Sequence, residues 1–382
     1  MSKLYYLNSA YCPSDAVTNR SMAFIKGMSE LGVEATVVYF FPDAKRSKVE
    51  GDYPHITFWY LWEKHYSKNA IIKGLRYLRY ILHFRRILQP GDKVRLYNME
   101  DVLEFLLKKK GISIFMERGE LPTIYPIGSK IRRPSLSQYF RDLMKINGMI
   151  VGSGALKDYF MENGIEESNL LVVEMIIDSN RFKGVAKNTD KEKYIAYCGT
   201  ASNSKDGVDQ LIKSFAIVSR KHPEFKLYII GRIPSCQESE NLQLIRNLGL
   251  EGTVVLTGIV SPTIMPQILT DAQIVALDRP NNEQAKYGFP SKLGEYLLSR
   301  NPTVVTSVGD IPLYLKDGYN ALLAEPDNVE AFADKLLWAI EHPNEAREIG
   351  ERGYQLAMST FNHISQTRRV IEFMNRNAEV II

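Results

Sequence analysis

Short apolar runs that alternate with helical patterns constrain the fold of this chain more than any other feature. In the first half the runs predict strands over 4–7, 34–40, 93–97, 112–116 and 149–151. In the second half they predict strands over 194–197, 226–230, 253–256, 273–276, 303–306 and 321–323. Such alternation is typical of parallel sheets with helices on both faces. The sequence therefore predicts an α/β fold whose ligands bind at the carboxyl ends of the strands.

The alternation is interrupted once, by a polar stretch over 178–193 that has no periodicity and that we interpret as a linker. A chain of 382 residues is long enough for two domains. We therefore predict two doubly wound, Rossmann-like domains that face a central cleft, over 1–185 and 190–361. A helix over 362–382 is predicted to pack back on the first domain.

Composition excludes several classes of protein. No apolar run reaches the ~18 residues that a membrane span needs. The apolar N-terminal run stops at Asn8 and Ser9, too early for the core of a signal peptide. Cys12, Cys198 and Cys236 are scattered, which favours a reducing cytoplasm. The net charge of +4 is too small to indicate a nucleic-acid partner, so none is expected.

The segment 287–305 carries the most specific signal in the chain. Gly288 and Pro290 predict a tight loop, and Ser291 is a suitable N-cap for the helix that follows. The free amide groups at a helix start attract an anion, and Lys292 adds positive charge there, where a cation needs anionic compensation. Glu295 lies one turn further on the same side, and its carboxylate can accept two hydrogen bonds from a vicinal diol. Phosphate joined to ribose is the simplest ligand with both features.

A second loop, over 197–209, follows a predicted strand and precedes an amphipathic helix. Gly199 and Gly207 permit a sharp turn, and Lys205 projects from it. Arg232, after the next strand, is of a residue type suited to bidentate phosphate contacts. The alternative is that Lys205 and Arg232 are ordinary exposed side chains.

These segments resemble the diphosphate- and ribose-binding signature of the GT4 family (glycosyl transferases group 1), retaining glycosyltransferases with the two-domain GT-B fold. The resemblance is specific over about 190–330. It implies that Glu295 binds ribose hydroxyls and that Ser291 lies near the diphosphate. Lys205 and Lys292 would act catalytically, because they would stabilise the leaving diphosphate. By the same resemblance the remaining donor-binding residues are Gly199, Arg232, Gly258, Val260, Gly288, Phe289, Pro290 and Leu293.

Two positions depart from the family pattern. Tyr287 stands where the first glutamate of the family would fall, and Thr200 stands at its arginine. The departures leave the donor sugar open. They also leave the alternative that the protein binds the donor, or serves in assembly, without catalysing a transfer.

The first domain offers fewer candidates. Glu117 and Arg118 directly follow a predicted strand, at the mouth of the expected cleft. We interpret Glu117 as a third catalytic residue, in contact with the acceptor or the donor sugar; a salt bridge between Glu117 and Arg118 is the alternative. The histidines show no metal-ligand pairing, and Asp-x-Asp does not occur. We therefore expect neither a metal nor another cofactor, with the nucleotide-sugar as substrate.

The stretch 64–95 is basic and aromatic, and its apolar residues recur every three or four positions. This spacing predicts an amphipathic helix with a cationic flank. Such a helix either lies on an anionic membrane surface or is a domain helix with a solvated basic side. Its cationic residues include Lys68, Lys73, Arg76, Arg79, Arg85 and Arg86.

The resemblance implies a glycosyltransferase that moves a sugar from a nucleotide-sugar, a UDP-sugar above all, to a hydroxyl of a glycan or lipid-linked acceptor. By the resemblance it is a retaining enzyme of cell-surface polysaccharide synthesis. It would be cytoplasmic and, if 64–95 binds a membrane, peripheral on the inner face. The alternatives are a nucleotide-sugar epimerase of similar shape, the inactive donor-binding protein, and a basic membrane- or RNA-binding module.

Overall fold

A computed structural model of the protein describes residues 2–9, 11–12, 16–40, 48–61, 69–124, 134–188, 190 and 192–378, with 16, 70 and 73 described by their backbone alone. Lys64, Tyr66 and Lys68 of the basic stretch lie outside these residues. The chain divides into two compact units, which we call unit 1 and unit 2. Unit 1 is Met1–Ile176 with His363–Ile382, and unit 2 is Ile177–Asn362.

The polar stretch that we interpret as a linker belongs to unit 2 in the structure. The amide of Ile177 donates a hydrogen bond to the carbonyl of Phe361 (3.0 Å), and a 3-10 turn follows at Ser179–Phe182. Within this turn Arg181 forms an ion pair with Glu295. These bonds place the break between the units at 176 and 177, whereas composition places it between 185 and 190.

Unit 1 is built on a parallel sheet, in which the described residues form seven strands in the order β3-β2-β1-β4-β5-β6-β7. The central strands β1 and β5 are buried at every position, as expected where helices cover both faces of a parallel sheet. The strands are β1 Leu4–Asn8, β2 Ala35–Tyr39, β3 Ile56–Tyr60, β4 Lys93–Tyr97, β5 Ser113–Arg118, β6 Gly148–Val151 and β7 Leu170–Val172. The helices before β7 are α1 Ala16–Glu30, α2 Ala70–Ile87, α3 Glu100–Leu106, α4 Leu136–Leu143 and α5 Gly154–Glu162.

Unit 2 repeats the architecture, with six strands in the order β10-β9-β8-β11-β12-β13 among the described residues. Every strand predicted for the second half is present. The strands are β8 Lys193–Cys198, β9 Phe225–Ile230, β10 Val254–Gly258, β11 Ile274–Leu277, β12 Thr303–Thr306 and β13 Leu322–Ala324. The helices are α6 Asn203–Asp206, α7 Val208–Lys221, α8 Ser235–Asn247, α9 Met265–Asp271, α10 Glu283–Tyr287, α11 Lys292–Leu298, α12 Ile311–Tyr314, α13 Val329–Glu341 and α14 Pro343–Leu356. The predicted α/β fold is confirmed.

The last helix, α15 (His363–Ala378), returns to unit 1 and packs on α1. The two helices approach closely at Gly27, where a Cβ atom would lie 2.2 Å from the Thr367 hydroxyl oxygen. Val370 and Phe373 are buried in the same core as Phe24 of α1. The core of unit 1 is therefore completed by residues that follow unit 2 in the chain.

None of the helices in the described parts of the chain combines the length and the hydropathy that crossing a bilayer requires.

Candidate donor-binding site

In the sheet of unit 2 the strand order reverses at β8, which lies between β9 and β11. Parallel sheets bind ligands at the carboxyl ends of the strands beside such a switch point. The loop and short helix after β8 occupy 199–207, and the segment between β11 and α11 occupies 278–291. The two most specific sequence motifs thus follow neighbouring strands at the edge where a ligand is expected.

Three loops at this edge are joined by backbone hydrogen bonds. The Ala201 amide donates to the carbonyl of Arg232 (2.8 Å), and the Gly231 amide donates to that of Gly258 (2.9 Å). A Cβ atom on Gly231, whose φ is 128°, would lie 2.0 Å from the carbonyl oxygen of Gly199. Only glycine fits there, so the loops after β8, β9 and β10 form one backbone layer. The Arg232 side chain is exposed above it.

Lys292, at the first position of α11, reaches back to the loop after β8. Its ammonium forms an ion pair with Asp206 and donates a hydrogen bond to the Tyr197 hydroxyl (3.1 Å). It lies 4.8 Å from the centroid of the Tyr197 ring. A Cβ atom on Gly199 would lie 2.7 Å from the lysine Nζ, so this glycine makes room for the ammonium. Sequence analysis missed Asp206 and Tyr197.

The charges of this pair are shifted by burial and by each other. Burial lowers the pKa of Lys292, and the neighbouring Asp206 carboxylate opposes that shift. Burial alone would raise the pKa of Asp206, but the Lys292 ammonium holds it below its usual value. The Asp206 carboxylate is therefore ionised in the neutral pH range, and it favours the charged form of Lys292. It supplies the anion that a lysine at a helix start requires.

The predicted capping role of Ser291 is wrong. Ser291 has helical backbone angles, φ −58° and ψ −28°, and its side chain forms no capping hydrogen bond. An N-cap requires extended angles so that the side chain can fold back on the helix start. The loop closes through the backbone instead, where the Leu293 amide donates to the Pro290 carbonyl (3.0 Å). The Ser291 side chain is exposed, and its place near a diphosphate stays a prediction.

Glu295 forms an ion pair with Arg181, which sequence analysis also missed. Arg181 in addition donates a hydrogen bond to the carbonyl of Pro262 (3.1 Å), so it joins the start of unit 2 to α11 and to the segment after β10. The Glu295 side chain is 19% exposed, which leaves part of the carboxylate accessible. The ribose-binding role of Glu295 stays a prediction.

Arg279 is buried directly after β11 and organises the loop of the main motif. It donates hydrogen bonds to the carbonyls of Gly288 (3.0 Å) and Gln284 (3.3 Å). A longer bond of 3.5 Å joins it to the carbonyl of Lys205, whose side chain is half-buried. Through Arg279 the two motifs that carry the catalytic lysine candidates are tied into one structure. No motif signalled this arginine, because the three partners named here are backbone carbonyls, which every residue carries.

The other candidates around α11 serve packing through their side chains. Pro290 and Leu293 are buried. Phe289 packs on the rings of Tyr314 and Phe361, with ring centroids 5.8 Å and 6.0 Å apart. Val260, after β10, is half-buried in an exposed loop.

Glu117, the third catalytic candidate, lies at the end of β5 in unit 1 and is buried. Arg20 donates to one of its oxygens (2.6 Å), and Arg95 pairs with the other. Burial would raise the pKa of Glu117, but the two guanidinium groups hold it below its usual value. Glu117 is therefore an ionised carboxylate between two arginines, and its catalytic role stays a prediction.

The alternative of a salt bridge between Glu117 and Arg118 is wrong. Successive side chains of a strand point to opposite faces of the sheet, so these two cannot meet. Arg118 pairs with Glu100 on the other face.

Within the described residues, no three His, Cys, Asp or Glu side chains are grouped so that they could hold a metal ion. The expectation of a metal-independent site stays a prediction.

The comparisons with known proteins agree with the motifs. The model of the family described as "Glycosyl transferases group 1" matches residues 178–356. No curated protein matches the chain in sequence.

Several solved structures share the fold over nearly the whole chain. Anabaena HepE, solved in complex with UDP and glucose, is 16% identical with a TM-score of 0.70, over 98% of this chain and 100% of that one. A glycosyltransferase from Rickettsia africae is 14% identical with a TM-score of 0.72, over 99% of both chains. The sucrose-phosphate synthase of Thermosynechococcus elongatus is 12% identical with a TM-score of 0.73, over 98% of this chain and 99% of that one.

Identities this low support the fold alone, which is the GT-B class of α/β fold. The family match rests on unit 2 and covers the ion pairs of Lys292 and Glu295. The predicted resemblance is thus confirmed over residues 178–356, which match the model of the glycosyl transferases group 1.

Proposed function

We propose that the protein transfers a sugar from a UDP-sugar to a hydroxyl of a glycan or lipid-linked acceptor. The donor would bind at the carboxyl edge of the sheet in unit 2. The observation that carries this proposal is the Lys292–Asp206 ion pair beside Gly199, at the switch point of the sheet. A half-buried lysine at a helix start, next to a loop that only glycine can form, is suited to an anionic ligand.

The chemistry that we propose needs positive charge at the leaving group. As the bond from sugar to diphosphate breaks, negative charge grows on the diphosphate, and preorganised cations stabilise it. Lys292 and Lys205 would supply that charge, with Arg232 at the exposed edge. The bound diphosphate would share the Lys292 ammonium with Asp206, so the pair keeps the lysine in place before the donor arrives.

The choice of uridine is supported by relatives of similar fold. Anabaena HepE was solved with UDP and glucose, and S. aureus TarM with UDP. The family resemblance supports retention of the anomeric configuration in this proposal, and proton NMR of the product would test it. A metal is not required in this proposal, and a chelator should leave turnover unchanged.

A thermal-shift panel of UDP, GDP, ADP and their sugars tests the donor site. A ligand that binds the folded state raises its apparent stability. We expect UDP to raise the Tm of the wild-type protein and Lys292→Ala to lose most of that increase. Lys335→Ala is the matched control, because Lys335 also pairs with an aspartate of unit 2, Asp317, on the surface. An equal response of all three proteins to UDP would refute the site.

A second candidate is a protein that binds the donor without transferring the sugar. Tyr287, which stands where the family has its first glutamate, favours this candidate. Turnover of UDP-sugars with product analysis separates the two. Stabilisation by UDP with no sugar released or transferred would favour the second candidate.

A further inference from the structure

Helix α2 of unit 1 exposes a continuous apolar stripe. Ile71, Leu75, Leu78 and Leu82 follow one another at spacings of four, three and four, which places them on one line along the helix. The side chains of Ile71 and Leu75 are 74% and 64% exposed, and the other two are exposed as well. A helix on the surface of a domain normally turns such a stripe inward.

The stripe is additional to a face that is already packed. Ile81, Phe84 and the following Leu88 are buried in unit 1. Of the thirteen exposed large hydrophobic residues in the described parts of the protein, five lie in α2, the four of the stripe and Ile72. Scattered exposed leucines need no explanation, but a contiguous patch indicates an interaction surface.

The charged residues of α2 itself are all basic. The helix contains Lys73, Arg76, Arg79, Arg85 and Arg86 and no aspartate or glutamate. Arg79 and Arg86 are exposed. A groove of about 360 Å³ is lined by Leu82, Arg85, Arg86 and Lys109. One leucine of the stripe and three basic side chains therefore line the same groove.

We propose that α2 lies in the surface of an anionic lipid bilayer. The stripe would enter the boundary between headgroups and acyl chains, and the arginines would contact lipid phosphates. A second copy of this chain is a poorer occupant, because a two-fold interface through α2 would bring the same cations together. The proposal goes beyond the transfer reaction and does not depend on it, although it agrees with a lipid-linked acceptor.

Sedimentation with vesicles tests the proposal. We expect the wild-type protein to bind vesicles of phosphatidylglycerol and phosphatidylcholine, less so as salt rises, and to bind phosphatidylcholine alone weakly. The double variant Ile71→Ser/Leu75→Ser should bind the anionic vesicles about tenfold more weakly. Arg79→Glu/Arg86→Glu should lose the preference for anionic lipid. Leu313→Ser is the matched control, since Leu313 is 71% exposed in α12 of unit 2.

Three outcomes would overturn the proposal. The first is a wild-type protein that does not bind anionic vesicles, and the second is an Ile71→Ser/Leu75→Ser variant that binds them as the wild type does. The third is a dimer in sedimentation velocity that the same variant abolishes, which would assign the stripe to a second copy. The UDP-dependent rise in Tm provides the folding control. Because UDP binds unit 2 in our proposal, the rise in Tm should persist in every α2 variant. If UDP does not raise the Tm of the wild type, that result would count against the donor site alone.

Discussion

Lys292 shows how a single residue can satisfy a local rule through a distant partner. A cation at the start of a helix is unfavourable, and the sequence suggested an anionic ligand as compensation. In the structure the compensation comes from Asp206, 86 residues away along the chain. An internal partner and an anionic ligand are compatible, because a carboxylate that holds a lysine at a site also keeps it charged.

Asp278 differs from Asp206 in that no cation is paired with its carboxyl group in the described structure. It is buried directly after β11, and its Oδ2 atom has no hydrogen-bond partner among the described residues. Burial, with Asp209 and Asp327 nearby, raises its pKa to about 8, against the weaker effect of Lys213. The folded protein therefore holds a proton on Asp278 at neutral pH that the unfolded chain releases near its ordinary pKa.

We predict that Asp278→Asn stabilises the protein in a pH-dependent way. Because the folded-state pKa is raised, the wild type loses stability as pH rises from about 4 to 8, by at most about 1.4 kcal/mol per pH unit. The asparagine variant lacks this loss. Its Tm should equal that of the wild type near pH 4.5 and exceed it at pH 7.5. A difference in Tm that stays constant across this range would contradict the assignment.

At the scale of elements, local sequence patterns predicted the strands and helices but did not predict which side chains pair with each other. The apolar runs of unit 2 predicted all of its strands. The amphipathic helix predicted after the loop 197–209 is α7, whose buried face includes Leu211, Ile212, Phe215 and Val218. Strands β3 and β7 of unit 1 escaped prediction. β3 is an edge strand and only partly buried, and β7 has three residues, so neither presents a long apolar run.

The pairs that form the candidate site could not be predicted in this way. Arg181 and Glu295 are 114 residues apart, and no spacing rule links residues at that distance. The turn that holds Arg181 also interrupts a stretch whose composition is that of a linker. The glycines and the start of α11 could be located from the sequence. The charged residues that pair with Lys292 and Glu295 could be identified only from the folded structure.

The backbone layer of the three loops yields a test at this scale. Gly231→Ala should weaken UDP binding, because its Cβ atom would meet the Gly199 carbonyl oxygen at 2.0 Å and push the loops apart. Gly249→Ala is the matched control. Gly249 also has a positive φ, 68°, but no atom within 4 Å of the added Cβ. Calorimetric titration with UDP that gives both variants the same affinity would contradict a role for the loop layer.

At the scale of the whole molecule, the chain leaves unit 1 at 176 and returns to it at 363. The return depends on the contact of α1 and α15 at Gly27. Replacing glycine by alanine inside a helix ordinarily stabilises it by about 1 kcal/mol. We predict that Gly27→Ala instead lowers the free energy of unfolding, since Thr367 and the His363 carbonyl occupy the space of the new methyl group. Urea denaturation measures the sign, and a gain in stability would show that the helices do not pack as described.

The position of α15 also determines the order in which the two units can complete their folding during translation. A ribosome synthesises the strands of unit 1 first, yet Val370 and Phe373, which close the core of that unit, leave the ribosome only after every residue of unit 2. Unit 2 is contiguous and can fold as soon as it emerges. The part of unit 1 that precedes unit 2 keeps an exposed apolar surface until α15 is synthesised. During this interval the protein would depend most on chaperones.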